Sequence, residues 1–299
     1  MSGPVIGIDL GGSKLRICTV SPSGDFCVKF SGATNLETSG EDLARVINDV
    51  VGQLSHRPAA IGIAVPELVE NGRIVASDVL PKLSGWSPAA SVASKCPIAV
   101  LNDAEAALVE VATTLPQGST AAMVMVGTGI GVALQIEGRI YRGARGWAGE
   151  LGSVPTSPEG PLVTLDSIAA GGPLLRALGI ETVSTPFGPD VVTQSDRIKI
   201  ELAGGALGFG LAVLINVLNP DRIILGGGTF RFPGYLDGAL KATKSRTLPP
   251  LWDACVIEMA NESEALVARG AARQAYSLLR RGCLRPTATP RFTKSRTAR

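Results

Sequence analysis

Residues 5–20 read VIGIDLGGSKLRICTV, an apolar run interrupted by one carboxylate, Asp9, and then by Gly11 and Gly12. An ionised carboxylate is costly to bury without a partner, and paired glycines weaken a strand, so the pattern points to a polar ligand that approaches the backbone. A second glycine turn, GTGIG at residues 127–131, follows another apolar run. Where no Cβ blocks approach, successive backbone N–H groups can face an anion, and phosphate is the natural guest. One such turn is shared with ordinary hairpins; two, one in each half of the chain, form a more specific signal. The spacing GxxxxGK[ST] is missing and no GxGxxG opens a helix after a strand, which weakens the P-loop and dinucleotide readings.

LNDAEAA, residues 101–107, displays Asp103 where a strand gives way to a helix. Such an aspartate can cap the helix through its side chain, or act as a general base that takes a proton from a substrate hydroxyl, and the two roles can coexist. A third cluster, Gly226, Gly227 and Gly228 in PDRIILGGGTF, leaves bare backbone against which a flat ring can lie. His56, the single histidine, follows an amphipathic segment beside Arg57 and Pro58 and reads as solvent-exposed, which sets histidine-dependent hydrolysis aside. Trp86 and Trp147 could stack on a ring or be packed between domains. Glu105 and Glu110 read as solvated residues of a helix face.

The elements that position these residues follow from periodicity. A chain of 299 residues, 45% hydrophobic with 36 glycines, fits two domains or one large one. A net charge of +2 gives no reason to expect nucleic acid. Five scattered cysteines without a CxxC pair suggest reduced thiols and no zinc site. The apolar runs are broken before the ~18–20 residues a membrane helix needs, so a soluble cytoplasmic protein is expected. Strand, glycine turn, strand, turn, strand opens both the first half and the second, at residue 121, which suggests an ancient duplication with a cleft between its halves. A helix is expected from Ser39 or Gly40, with apolar Leu43, Val46, Ile47, Val50, Val51 and Leu54 on one face. Short strands are expected at residues 61–66, 97–103 and 222–228, and helices at 103–115, 204–219 and 262–281. Domains are expected at residues 1–115 and 116–283, the final helix packing back on the first, with a basic disordered tail at 284–299.

In order and spacing, DLGGSK, LNDAEAA, GTGIG, GARGWAGELG and NPDRIILGGG resemble the sugar kinases of the ROK family, in the actin and hexokinase superfamily, over roughly residues 4–280. The resemblance implies an α/β, two-domain, actin-like (ribonuclease H-like) fold and an ATP- and Mg²⁺-dependent kinase. It implies Asp103 as the base, Asp9 as the carboxylate orienting the magnesium shell through water, and Gly11, Gly12, Ser13, Lys14, Thr128 and Gly129 around the phosphates. Gly226, Gly227 and Gly228 would border the nucleoside, and Asn102 and Glu150 would face the acceptor. A homodimer is the assembly expected by analogy with related kinases.

The chain departs from that pattern on the acceptor side. Ser153 in GWAGELGS stands where the resemblance anticipates histidine, and the cysteine-rich zinc segment is replaced by VPTSPEGPLVTLD. Asp166 answers a sugar-contacting glutamate, and Lys82 in LPKLSGW answers an asparagine. The expectation is a kinase with an altered acceptor, a sugar or a valiolone-like cyclitol, with an ordinary hexose kinase as the alternative. Repressors of the same family carry a helix-turn-helix before the first glycine turn; the eight residues ahead of Asp9 leave no room for one, so a sugar-sensing repressor is the weaker expectation.

Overall fold

The computed structural model describes residues 3–21, 25–157, 159–180, 193–261 and 265–282. The first half builds β1 (Val5–Leu10), β2 (Lys14–Val20), β3 (Phe26–Ala33), α1 (Gly40–Gly52), β4 (Ala60–Val65), the hairpin β5 (Leu68–Glu70) and β6 (Arg73–Ala76), the single turn α2 (Pro88–Ser91), β7 (Ile98–Asn102) and α3 (Asp103–Val111). Its main sheet has the order β3-β2-β1-β4-β7, antiparallel through β3, β2 and β1 and parallel from β1 to β7.

The second half builds β8 (Ala121–Val126), β9 (Ile130–Ile136), β10 (Arg139–Tyr141), α4 (Leu165–Ala169), α5 (Gly171–Ala177), α6 (Gln194–Leu218), β11 (Arg222–Gly226), α7 (Tyr235–Arg246), α8 (Pro249–Ala254), β12 (Val256–Met259) and α9 (Leu266–Gly282). Its sheet runs β10-β9-β8-β11-β12 with the same succession of antiparallel and parallel pairs. The two sheets are one design used twice, which is what the repeated strand and glycine-turn pattern suggests in the sequence.

Side-chain size separates the cores. On the first sheet, Ile6, Ile8, Ile17, Ile61 and Ile63 pack against Leu43, Ile47 and Val50 of α1. That helix begins with a reciprocal cap: Ser39 accepts from the Asp42 N–H, and the Asp42 carboxylate accepts from the Ser39 N–H. In the second half, the apolar face of α6 meets Val124, Ile223 and Leu225 of the sheet, with Tyr235 of α7 buried beside it. Between the halves the core is built mainly of alanines, Ala64, Ala104, Ala106, Ala107, Ala121, Ala133 and Ala271 among them, with Leu108 and Met123. Small side chains let α3 lie close to both sheets and α9 close to α3 and the first sheet. Gly62 on β4 shows the limit of that approach, since a Cβ there would stand 1.9 Å from the Ala271 carbonyl oxygen of α9.

Two sequence expectations need correction. The long helix begins at Gln194, ten residues before the apolar run that announces it, because Thr193 and Asp196 form a capping box there. With its apolar stretch it is, by length and composition, the one described helix able to cross a membrane, contrary to the reading that no run is long enough. Its buried Ile200, Leu207, Leu211 and Ile215 belong to the second-half core, and it packs along α7, so its apolarity is that of a core helix. The expected tail at 284–299, and Cys283, lie outside the described residues; Cys18, Cys27, Cys96 and Cys255 are free thiols.

Candidate active site

Three parallel neighbours, β1, β4 and β7, end at the same edge of the first sheet. Asp9 lies near the end of β1, Glu67 two residues past β4, and Asp103 directly after β7. Asn102 caps α3, its Oδ1 accepting from the Ala104 N–H at 2.9 Å. Asp103 is therefore the first residue of the helix and not its cap, although its Oδ1 also accepts from that N–H at 2.7 Å. Burial, reinforced by the charges of Asp9, Glu67 and Glu150, pushes its carboxyl up to about 7. Glu150 comes from the other half, heading the turn Leu151–Ser153. Charge from both halves thus converges on Asp103.

Asp9 is raised by burial to about 6, against the pull of Arg16, its partner across the β1/β2 hairpin, and of Lys14. The glycine turns are closed by their own bonds. The Gly11 N–H donates to the Lys14 carbonyl at 2.8 Å, and the Thr34 hydroxyl holds the Gly11 carbonyl at 2.6 Å. Gly11 therefore shapes the turn, and its amide is not open to an anion; among the described residues the amides of Gly12 and Ser13 have no protein acceptor. In the second turn the Gly127 N–H donates to the Gly129 carbonyl, and the carbonyls of Gly127 and Thr128 accept from the Gly171 and Gly172 amides that open α5. Gly226 ends β11, while Gly227 takes φ 106° against the Val126 carbonyl, a conformation suited to glycine. Gly228 borders open space, and the Thr229 hydroxyl ties the cluster back to the Gly127 carbonyl at 3.2 Å.

On the acceptor side the sequence-derived residues divide. Asp166 accepts from the Ile130 N–H at 2.7 Å, lies beside Gly129 and Gly152, and is near enough to Glu150 to raise it. Ser153 is exposed. Asn102, besides its cap, donates from Nδ2 to the Glu67 carbonyl at 3.5 Å. Lys82 is half-exposed and pairs with Glu37 on the rim of the first half, apart from the carboxylates. Trp86 packs on Gly40 and donates to the Ser91 hydroxyl at 3.0 Å, which makes it part of the α1 packing. Trp147 lies under the Arg145 guanidinium, with its indole N–H buried and unpaired. His56 is exposed, beyond the end of α1.

Sequence reasoning missed Glu67 and misjudged two glutamates. Glu105 pairs with Arg142 and is only 13% exposed, and Glu110 pairs with Arg273 of α9. Neither is a solvated face residue, because each is covered by an element distant in sequence. Glu67, Asn102, Glu105, Gly131, Arg142 and Glu150 line one pocket between the halves. A usable signal for Glu67 existed: open parallel sheets bind ligands outside the carboxyl ends of their strands, and IGIAVPE puts a carboxylate there.

Two matching sheets with a cleft between them, three strand-end carboxylates on one wall and glycine turns from both halves, define an actin-like two-domain fold. The profile described as the ROK family matches residues 5–277, and the chain belongs to that family. It is 27% identical over 271 residues to N-acetylmannosamine kinase of Yersinia pestis, covering 84% of this chain and 91% of that one. Among solved structures, a ROK hexokinase from Thermus thermophilus matches with TM-score 0.73 and 24% identity, over 93% of this chain and 99% of that one. A ROK family glucokinase from Streptomyces griseus, in complex with glucose and AMPPNP, matches with TM-score 0.76 and 22% identity, over 92% and 100%.

Proposed function

We propose that this chain transfers the γ-phosphoryl group of ATP to a primary hydroxyl of a sugar or sugar-like cyclitol. Like the curated relatives it matches, which are named as kinases, it is a phosphotransferase with an alcohol acceptor. One observation carries the assignment of its base: Asp103 heads α3 at the cleft with its carboxyl raised to about 7 by burial and three neighbouring acids. A base poised near neutral pH combines the correct protonation state with proton affinity. Asp103 takes the proton of the attacking hydroxyl. The amides of Gly12 and Ser13 from one half, and of Thr128 and Gly129 from the other, hold the phosphate oxygens where charge develops. Asp9 is a partly buried carboxylate at the same edge and fits a divalent cation held through water, since a cation would restore its ionised form. A magnesium ion there would offset the charge on the phosphates.

The acceptor is read from two departures on the acceptor side, Ser153 and Asp166; Lys82, the third, is turned to Glu37 and is not counted. A site built to hydrogen-bond a hydroxyl rejects an analogue lacking it by ~10⁴-fold or more, so several altered polar contacts redirect specificity. They support a valiolone-like cyclitol ahead of the hexoses. The test offers the purified protein ATP, GTP or polyphosphate with glucose, N-acetylmannosamine, inositols and valiolone-like cyclitols. Preference for a cyclitol is expected. A wide margin for glucose or N-acetylmannosamine removes the cyclitol and leaves a hexose kinase; transfer to no alcohol removes the kinase reading.

A further inference from the structure

Glu67 is a buried carboxylate, 4% exposed, that enters the mechanism above only through its charge beside Asp103. Its oxygens are engaged by one short stretch of chain. Oε1 accepts from the Ser77 hydroxyl at 2.5 Å and from the Leu80 N–H at 2.9 Å, and Oε2 accepts from the Asp78 N–H at 3.2 Å. The Ser77 hydroxyl also contacts the Leu80 carbonyl, closing the stretch on itself. The Glu67 carbonyl in turn accepts from Asn102, the residue before Asp103.

The stretch held in this way touches both sides of the cleft. The Val79 side chain lies over the first glycine turn, so close that a Cβ on Gly12 would stand 2.5 Å from its Cγ1. Asp78, exposed beside it, is near enough to raise both Glu150 and Asp166, which belong to the second half. Lys82, paired with Glu37, follows two residues after Leu80.

We infer that Glu67 is a positioning residue: its carboxylate pins residues 77–80 across the first glycine turn, fixing Asp78 at the acceptor side and Val79 over the phosphate turn. A hydrophobic core alone would not select a buried acid here, since such a group costs free energy unless bonded. The three bonds go to a loop with no sheet partner of its own, the kind of segment that otherwise samples many conformations. Burial raises the Glu67 carboxyl, and its bonds to Ser77, Leu80 and Asp78 oppose that rise. The ionised form is therefore the one the loop holds.

The kinetic arm of the test rests on the kinase reading, and the structural arm does not. Glu67→Ala and Glu67→Gln are compared with the native protein by hydrogen exchange and by steady-state kinetics with the best acceptor of the panel. Removing the acceptor oxygens leaves buried donors unpaired, so Glu67→Ala is expected to speed exchange at the amides of Asp78 and Leu80 while the strands of both sheets keep their protection. The acceptor KM should rise ~10-fold or more, with a smaller fall in kcat. Glu67→Gln keeps one acceptor oxygen and should recover most of the loss; it also decides the matter if Glu67→Ala does not fold. In the Glu67→Ala background, Asp78→Ala should add less to KM than it does alone. Unchanged exchange at residues 78 and 80, or an unchanged acceptor KM, overturns the inference, as does protection lost equally throughout both sheets. If the native protein phosphorylates no alcohol, the kinase reading fails, and faster exchange confined to residues 78 and 80 still supports the pin.

Discussion

At the scale of single residues, Asp103 combines two effects that oppose each other. Its carboxyl titrates near 7 in the folded chain and near 3.8 in the unfolded one. Between those values the folded protein holds a proton that the unfolded chain has released, so stability falls as pH rises through that window. Asp103→Asn removes a partly buried charge, and its thermal midpoint at pH 8 is expected to equal or exceed that of the native protein. Its turnover should fall ~10²-fold or more because no base remains. Near-native turnover would show that another group takes the proton. The native pH–rate profile should rise with pH to a half-maximum near 7, the value burial and neighbouring acids give Asp103. Glu150→Gln removes one of those charges, so its half-maximum should lie at lower pH; a shift upward would contradict the proposed electrostatics. Asp9, Asp103 and the glycines were legible because a carboxylate or bare backbone at a strand end is visible in the sequence itself. Glu105 and Glu110 were not, because their exposure depends on Arg142 and Arg273, far along the chain.

At the scale of elements, α9 shows what periodicity can and cannot tell. Its amphipathic pattern was readable, whereas its seat against β1, β4 and α3 depends on small residues more than one hundred and fifty positions away. Gly7 and Gly62 are that seat: added Cβ atoms would stand 2.0 and 1.9 Å from the carbonyl oxygens of Ala268 and Ala271. A bulky side chain must therefore lift the helix. Gly62→Val is expected to lower the denaturation midpoint sharply or prevent folding, because overpacking of ~1–3 kcal/mol or more falls on backbone that cannot yield. Gly205→Ala on α6, where an added Cβ meets nothing within 4 Å, should be neutral or stabilising by ~0.5–1 kcal/mol. Equal denaturation midpoints for the two variants would show that α9 is not held this closely. The short hairpin of β5 and β6 and the helix α7 were not read from the sequence, the first for brevity and the second because its buried positions are mostly alanine and glycine.

At the scale of the whole molecule, two copies of one sheet design face each other across a cleft, joined through a core of alanines around α3 and α9. Small side chains at such a joint interlock less deeply than leucines and suit one half turning against the other, as cleft kinases do to exclude water. The radius of gyration in solution scattering should be smaller with a nonhydrolysable ATP analogue and acceptor together than with either alone; no contraction would count against closure. The sequence by itself determined the repeated order of strands and glycine turns, the carboxylates at strand ends and the family they resemble, because these are local patterns set by backbone period and residue chemistry. Only the tertiary structure decided that Glu150 from one half reaches Asp103 of the other, that Glu67 grips residues 77–80, and that Lys82 turns to Glu37. Those pairings join segments that sequence spacing leaves unrelated, and folding alone sets the distances on which their electrostatics depend.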